Sequence, residues 1–441
     1  MENRRVYRWI FLMPTDWRLV TLLTMPSLNQ VPTAISRRRV ASKLRAALLP
    51  VVILVLAVAS GASAQPSSTR PTRGNAEQQL LEVMRLMHLA DHRKALLKAQ
   101  ALVKEFPNFQ LAQLVYGDLL SAHNRPIQQM GELPDAQQLI HKARLTQLRE
   151  EAGQRLRAQD AVPGKDWVPT QLLMGSRSNK HIIAVDGLKS RVYLLERTAT
   201  GMQRVADFYA SVGKAGIGKL REGDNKTPSG VYFITSYLDP AKLEDLYGSG
   251  ALPLNYPNQL DVQRGKTGSG IWLHGKPSAE YSRAPLATEG CVALSNPDIE
   301  RIIETVAVGS TPVIIAPSLQ WAPPQAAAKQ REAFQALINQ WAVARASGNT
   351  RDYRAFYADE FSHEKLARRL RPISAGREAD KQAGRGVRIT DLSLFLWQDD
   401  SETLIATFTE VVKGQRGAST IRQYWTRKGT QWKIFSETRL S

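Results

Sequence analysis

The chain has 441 residues, with 59 Lys and Arg against 40 Asp and Glu, a formal net charge of +19, and one cysteine. A single thiol excludes an intramolecular disulfide framework and a multi-cysteine zinc cluster. The basic excess favours an anionic partner such as a cell envelope. Without zinc-finger spacing, an RNP-type aromatic strand or a dense basic arm, it does not point to nucleic acid.

Near the N-terminus, Arg37, Arg38, Arg39, Lys43 and Arg45 lead into an apolar run from Ala46 to Ala59 and an Ala62-Ser63-Ala64 cleavage pattern. This reads as an export signal within residues 1–64, with Met25 a candidate start. The run is short of the roughly 20 apolar residues of a membrane span. The mature chain is expected to begin at Gln65 and to work in the periplasm or cell envelope, with no membrane span after cleavage.

Residues 75–160 carry apolar positions at helical spacing. Helices are expected over Lys94–Glu105 and Phe109–His123, parted at Pro107. One such hairpin is too little for a stacked solenoid, so the region reads as a helical accessory, open to self-association or partner docking. His88 and His92 stand four apart but have no evident third ligand, so surface histidines are expected rather than a metal site.

The texture changes over residues 167–317. "HIIAVDGLKSRVYLLE" reads as two strands turning at Asp186-Gly187, and "GVYFITSYL" and "TPVIIAP" read as further strands. With frequent glycine turns, this predicts a β-rich domain. "GKAGIGKL" lacks the G-K-[ST] ending of a phosphate loop. Residues 318–328 form a proline- and alanine-rich linker. Residues 329–441 give a long helix, a short helix and four alternating strands, and a piece starting near Ala327 is expected to fold alone.

The chemistry gathers around the one thiol. His274 ends the apolar strand "GIWLHG", and Cys291 follows in "TEGC". A cysteine nucleophile needs a nearby base or a lowered pKa, and an imidazole base needs a group that fixes its tautomer. The Gly275 carbonyl suits that task. Gly290 allows close approach of backbone, so the Gly290 and Cys291 amides are candidate donors to an oxyanion. Asn296, Pro297 and Asp298 suit the start of a helix just after the thiol. A buried inert cysteine beside an unrelated histidine would satisfy the spacing equally well.

At these residues the sequence resembles the YkuD-type L,D-transpeptidase family, in its YafK-like branch. The signature is a histidine in H-G and then [ST]-x-G-C, here His274-Gly275 and Thr288-Glu289-Gly290-Cys291. "REGDNKTPSGVYFI" carries the T-P-x-G turn at Thr227 to Gly230. The sequence departs from the pattern at Glu289, often His, and at Ala293, commonly Arg or Asn. The segment after the linker resembles the SnoaL-like, or nuclear-transport-factor-like, cone. The order of parts resembles L,D-carboxypeptidases that trim peptidoglycan in helical-shaped bacteria.

The resemblance implies a multidomain chain: a helical region, a β-rich YkuD-type catalytic domain and an α+β cone. It implies peptidoglycan stem peptides as substrate, Cys291 as nucleophile, His274 as general base and acid, and no metal or organic cofactor. Both activities share an acyl-enzyme. An amine acceptor makes a transpeptidase and water a carboxypeptidase. Tyr256, Trp272, Lys276, Arg283 and Thr288 are candidates for substrate contact. A catalytically inactive envelope-binding protein is the reading of another class.

Overall fold

The computed structural model describes residues 76–122, 125–133, 135–160, 162–359, 361, 386–413 and 417–440. The signal-type segment over residues 1–64 lies outside them. Among the described residues no helix is long and apolar enough to cross a membrane.

Four helices come first: α1 (Ala76–His88), α2 (His92–Glu105), α3 (Gln110–Ser121) and α4 (Asp135–Asp160). The Asp91 carboxylate accepts the Lys94 N–H and starts α2. That helix stops at Phe106, one residue before Pro107, because the residue ahead of a proline is pushed out of helical geometry. Leu80, Val83, Ala95, Leu102, Leu111 and Val115 share the core between these helices. Tyr281, from a distant loop, is buried in the same core.

The next segment supplies β1 (Val168–Pro169), β2 (Leu172–Met174), β3 (His181–Asp186), β4 (Arg191–Thr198), β5 (Gly201–Gly213), β6 (Gly230–Phe233), β7 (Ala251–Pro253), α5 (Gln259–Gln263), β8 (Trp272–His274), β9 (Leu286–Thr288), β10 (Val292–Leu294), α6 (Asn296–Thr305), β11 (Pro312–Ala316) and β12 (Trp321–Ala322). The main sheet runs β6-β11-β3-β4-β5-β10-β8-β7, with β9 paired to β5. Alternation along β3 shows why its four central residues, Ile182 to Val185, are all apolar. Ile183 and Val185 enter one core, while Ile182 and Ala184 enter the other.

The chain closes with α7 (Ala328–Ala346), α8 (Thr350–Arg354), β13 (Val387–Gln398), β14 (Glu402–Val412), β15 (Ser419–Lys428) and β16 (Gln431–Arg439). These strands form an antiparallel meander whose fifth member is β2, in the order β16-β15-β14-β13-β2. One face packs on Phe334, Ile338 and Trp341 of α7. The other sets Phe395, Trp397, Ile405 and Tyr424 against Tyr193, Val231, Phe233 and Ile314 of the preceding sheet.

Two expectations are corrected here. Residues 318–328 are not a free linker, since Val168 pairs with Ala322 and Pro169 with Trp321. Nor does the C-terminal piece close its own sheet: Met174 and Leu172 pair with Leu394 and Phe395, and the described residues fall in one compact unit. Both corrections have one cause. A short apolar stretch such as "LLM" cannot reveal which sheet it will join.

A chain ending near Gln325 would uncover the face opposite Phe395, Trp397, Ile405 and Tyr424. At roughly 2 kcal/mol for each large apolar side chain returned to water, the loss rivals the whole ~5–15 kcal/mol stability of a domain. The truncated protein is expected to lose its cooperative melting transition, as read by calorimetry. A melting temperature equal to that of the full chain would refute the shared core.

Candidate active site

β10 is the centre of the site. It lies between β5, antiparallel, and β8, parallel, with Val292 opposite Leu273 and Ala293 opposite His274. Val292 and Leu273 are fully buried in the core. By strand alternation, His274 and Trp272 therefore share the opposite face with Ala293 and with Cys291, one residue before β10.

His274 is buried, with 5% of its surface exposed. Its Nδ1 lies 2.6 Å from the Gly275 carbonyl oxygen. A carbonyl only accepts, so the proton sits on Nδ1 and Nε2 carries the free lone pair. Burial first, then the nearby Lys276 and Arg283 cations, push the imidazole down to about 4, against the opposing pull of the Gly275 carbonyl. Near neutral pH the ring is uncharged.

Gly275 cannot be replaced without disruption. A side chain there would run into the Asn296 amide oxygen and come within 2.9 Å of the Ser249 nitrogen. Its N–H donates to the Tyr247 carbonyl at 3.0 Å. Asn296 locks the same corner: its Oδ1 accepts from Lys276 N at 2.9 Å and Ser249 N at 3.1 Å, and its Nδ2 donates to the Lys276 carbonyl at 2.9 Å. Asn296 is therefore not the helix cap expected from sequence. That task falls to Ser295, whose side chain accepts the Asp298 N–H.

Cys291 is half-buried, and its thiol donates to the Gly270 carbonyl at 3.4 Å. Burial raises the thiol above its ordinary 9.0; the Trp272 N–H pulls it down, Glu289 raises it and Lys219 lowers it. The resting pair is accordingly a neutral thiol and a neutral imidazole. Of the two routes to a nucleophile, a nearby base fits this site better than a standing thiolate.

Gly290 holds φ at 140°, and a side chain there would meet the Lys226 carbonyl oxygen at 2.9 Å. Its N–H donates to the Thr288 hydroxyl at 3.2 Å, and that hydroxyl donates to the Cys291 carbonyl at 2.7 Å. The Gly290 amide, expected from sequence to face an oxyanion, is thus turned to the Thr288 hydroxyl in this structure. Thr288 is a brace for the turn that presents the thiol.

The candidate substrate contacts separate. Trp272 is half-buried and packs at a tilt against Tyr247, with centroids 4.8 Å apart. Tyr256 is a core residue, its hydroxyl spent on the Thr267 carbonyl at 3.0 Å and its ring against Tyr232. Arg283 pairs with Glu280 at 2.6 Å. Lys276 is 1% exposed, and its Nζ has no hydrogen-bond partner among the described residues. Tyr256 and Lys276, both expected as substrate contacts, are thus buried rather than exposed at the surface. The sequence reading missed Tyr247, whose ring meets His274 edge-on at 5.2 Å and whose phenol is raised by burial and by Cys291. Nothing in "LEDLYGSG" signals that position, because the contact arises only when the turn folds back onto β8.

The Lys276 amine is pushed down to about 7, by burial first and then by Arg283, with Glu151 and Glu280 opposing. Its folded pKa lies below the unfolded one, so the unfolded chain holds more protons between about pH 7 and 10, and the residue's contribution to stability rises across that window. Lys276→Met is expected to stabilise the protein at pH 7 by roughly 1–3 kcal/mol, since an unpaired buried amine is costly. The gain should shrink by pH 9. Urea melts at both pH values test this, and a destabilised variant at pH 7 would contradict it.

No curated protein sequence matches the chain. Bd1075 of Bdellovibrio bacteriovorus shares the fold at a TM-score of 0.52 and 24% identity, over 62% of this chain and 98% of that one. The helical cell shape determining protein Pgp2 of Campylobacter jejuni is 22% identical over 61% of this chain and 95% of that one, with a TM-score of 0.47. Residues 180–315, which hold both His274 and Cys291, match the YkuD family model, described as an L,D-transpeptidase catalytic domain.

Proposed function

We propose that the chain is an exported, cysteine-dependent L,D-transpeptidase acting on the stem tetrapeptide of peptidoglycan. One observation carries the reading: a neutral imidazole, its Nδ1–H tied to the Gly275 carbonyl, stands on the strand next to the one that Cys291 leads. The YkuD match and the export-type sequence over residues 37–64 support the substrate and the compartment.

In the proposed reaction His274 Nε2 takes the thiol proton as Cys291 Sγ attacks the carbonyl of stem residue three. The Cys291 N–H is the remaining local amide for the oxyanion, since that of Gly290 is occupied. The bond to D-alanine breaks, and its nitrogen leaves with the proton from His274. The resulting thioester is opened by an amine of a neighbouring stem, whose proton returns through His274 to the thiol. The helix pair and antiparallel sheet after Ala328 are read as a SnoaL-like domain, on the strength of that element order.

The test is a stem tetrapeptide incubated with and without an amine acceptor, followed by mass spectrometry. A thioester on the Cys291 peptide and an acceptor-dependent 3–3 product are expected. Release of D-alanine with tripeptide alone, even when the amine is abundant, would replace transpeptidation with L,D-carboxypeptidation. No acyl-enzyme and no product would leave the envelope-binding reading.

A further inference from the structure

The chain from His274 to Cys291 does not return directly. It first travels to the helical region and is fastened there. Tyr281 is 7% exposed within the helical core. Its ring lies 4.4 Å from that of Phe109 and 5.4 Å from that of Phe106. Its N–H donates to the Asn108 carbonyl at 3.1 Å, and Asn108 Nδ2 donates to the Ser278 carbonyl at 3.1 Å.

A second fastening is polar and buried. The Ser282 hydroxyl donates to Glu151 of α4 at 2.6 Å. Arg155 holds that carboxylate at 2.7 Å and also reaches Glu77 of α1, which in turn binds Arg191 on β4. The Arg155 guanidinium lies over the Tyr209 ring at 3.9 Å, and the Tyr209 hydroxyl donates to the Arg283 carbonyl at 2.8 Å. The loop is thus held at Ser278, Tyr281, Ser282 and Arg283. The Tyr281 hydroxyl also meets Ser295, the cap that follows the thiol-bearing strand.

The loop joins the end of the His274 strand to the turn that presents Cys291, two groups whose backbones are themselves placed by β8 and β10. An exposed surface loop would order itself poorly. Here a large aromatic ring and buried charge-assisted bonds supply the order from another part of the fold.

We propose that the helical region is a working part of the active site, and that Tyr281 is a positioning residue: seated in the helical core, it sets the loop of residues 276–284 between His274 and Cys291. The inference rests on the proposed acyl-transfer reading for its activity readout, though not for its structural one. It assigns α1 to α4 a task inside the catalytic unit rather than a detachable accessory role.

The experiment uses the full chain. Tyr281→Ala is expected to lower kcat/KM on the stem tetrapeptide at least tenfold, while alkylation of Cys291 by iodoacetamide stays within twofold of wild type. That small probe needs the thiol but not the loop. Tyr281→Phe, which keeps the ring, should recover at least a third of the activity. Deuterium exchange of residues 276–284 should rise in Tyr281→Ala and fall back in Tyr281→Phe. A folded Tyr281→Ala protein with wild-type kcat/KM and unchanged exchange would overturn the proposal. If Tyr281→Ala does not fold, Ser282→Ala takes its place, with at least a threefold loss and faster exchange expected and no change overturning it. Should the wild type prove inactive on the tetrapeptide, the functional reading fails alone, and the exchange result then decides the positioning role.

Discussion

Replacing Cys291 by alanine is expected to lower turnover of the stem tetrapeptide by at least about 10³-fold, with the melting temperature nearly unchanged. The activity loss follows from the proposed chemistry: without Sγ there is no thioester, and water would have to attack directly. The small effect on stability follows from the site. Cys291 is half-buried and its sulfur is held weakly, donating to the Gly270 carbonyl at 3.4 Å and facing the Trp272 N–H. The bonds that shape its turn run through the Thr288 hydroxyl and the Cys291 backbone carbonyl, which alanine keeps. Steady-state kinetics with calorimetry on the same sample separates the two effects. Substantial turnover by a folded Cys291→Ala protein would end the nucleophile assignment.

His274→Gln should cost about 10²–10⁴-fold in kcat/KM, the usual worth of a positioned general base. The wild-type pH profile is expected to carry an acid limb near 4, because burial and the Lys276 and Arg283 cations hold the imidazole down to about 4. A limb at 6.5 or above would mean that the ring rests protonated, in conflict with its dry setting. The same shift makes a stability prediction. The folded pKa lies below the unfolded value, so between about pH 4 and 6.5 the unfolded chain binds the extra proton. Stability therefore rises with pH across that window, by up to about 3 kcal/mol from this group. Urea melts from pH 4.5 to 7 should show that rise in the wild type and a smaller one in His274→Gln. Equal slopes would show that the buried imidazole is not the source.

The sequence carried the local facts. Apolar runs parted by the Asp186-Gly187 turn located β3 and β4, helical spacing located α2, α3 and α7, and the H-G and T-x-G-C pieces singled out His274 and Cys291. These signals are legible because they depend on residues close in the chain: side-chain period, turn chemistry, and glycine where φ is positive, as at Gly290. The tertiary structure decided whatever depends on partners distant in the chain. It buried Lys276 and Tyr256, residue types that composition would place at a ligand, and it brought Tyr247 to the histidine and Asn296 to the backbone just after it. It occupied the Gly290 amide, sent "LLM" to a sheet more than two hundred positions away, and seated Tyr281 in the helical core. A side chain's burial, and with it its charge state, is fixed by what packs over it, and those neighbours meet only once the whole chain has folded.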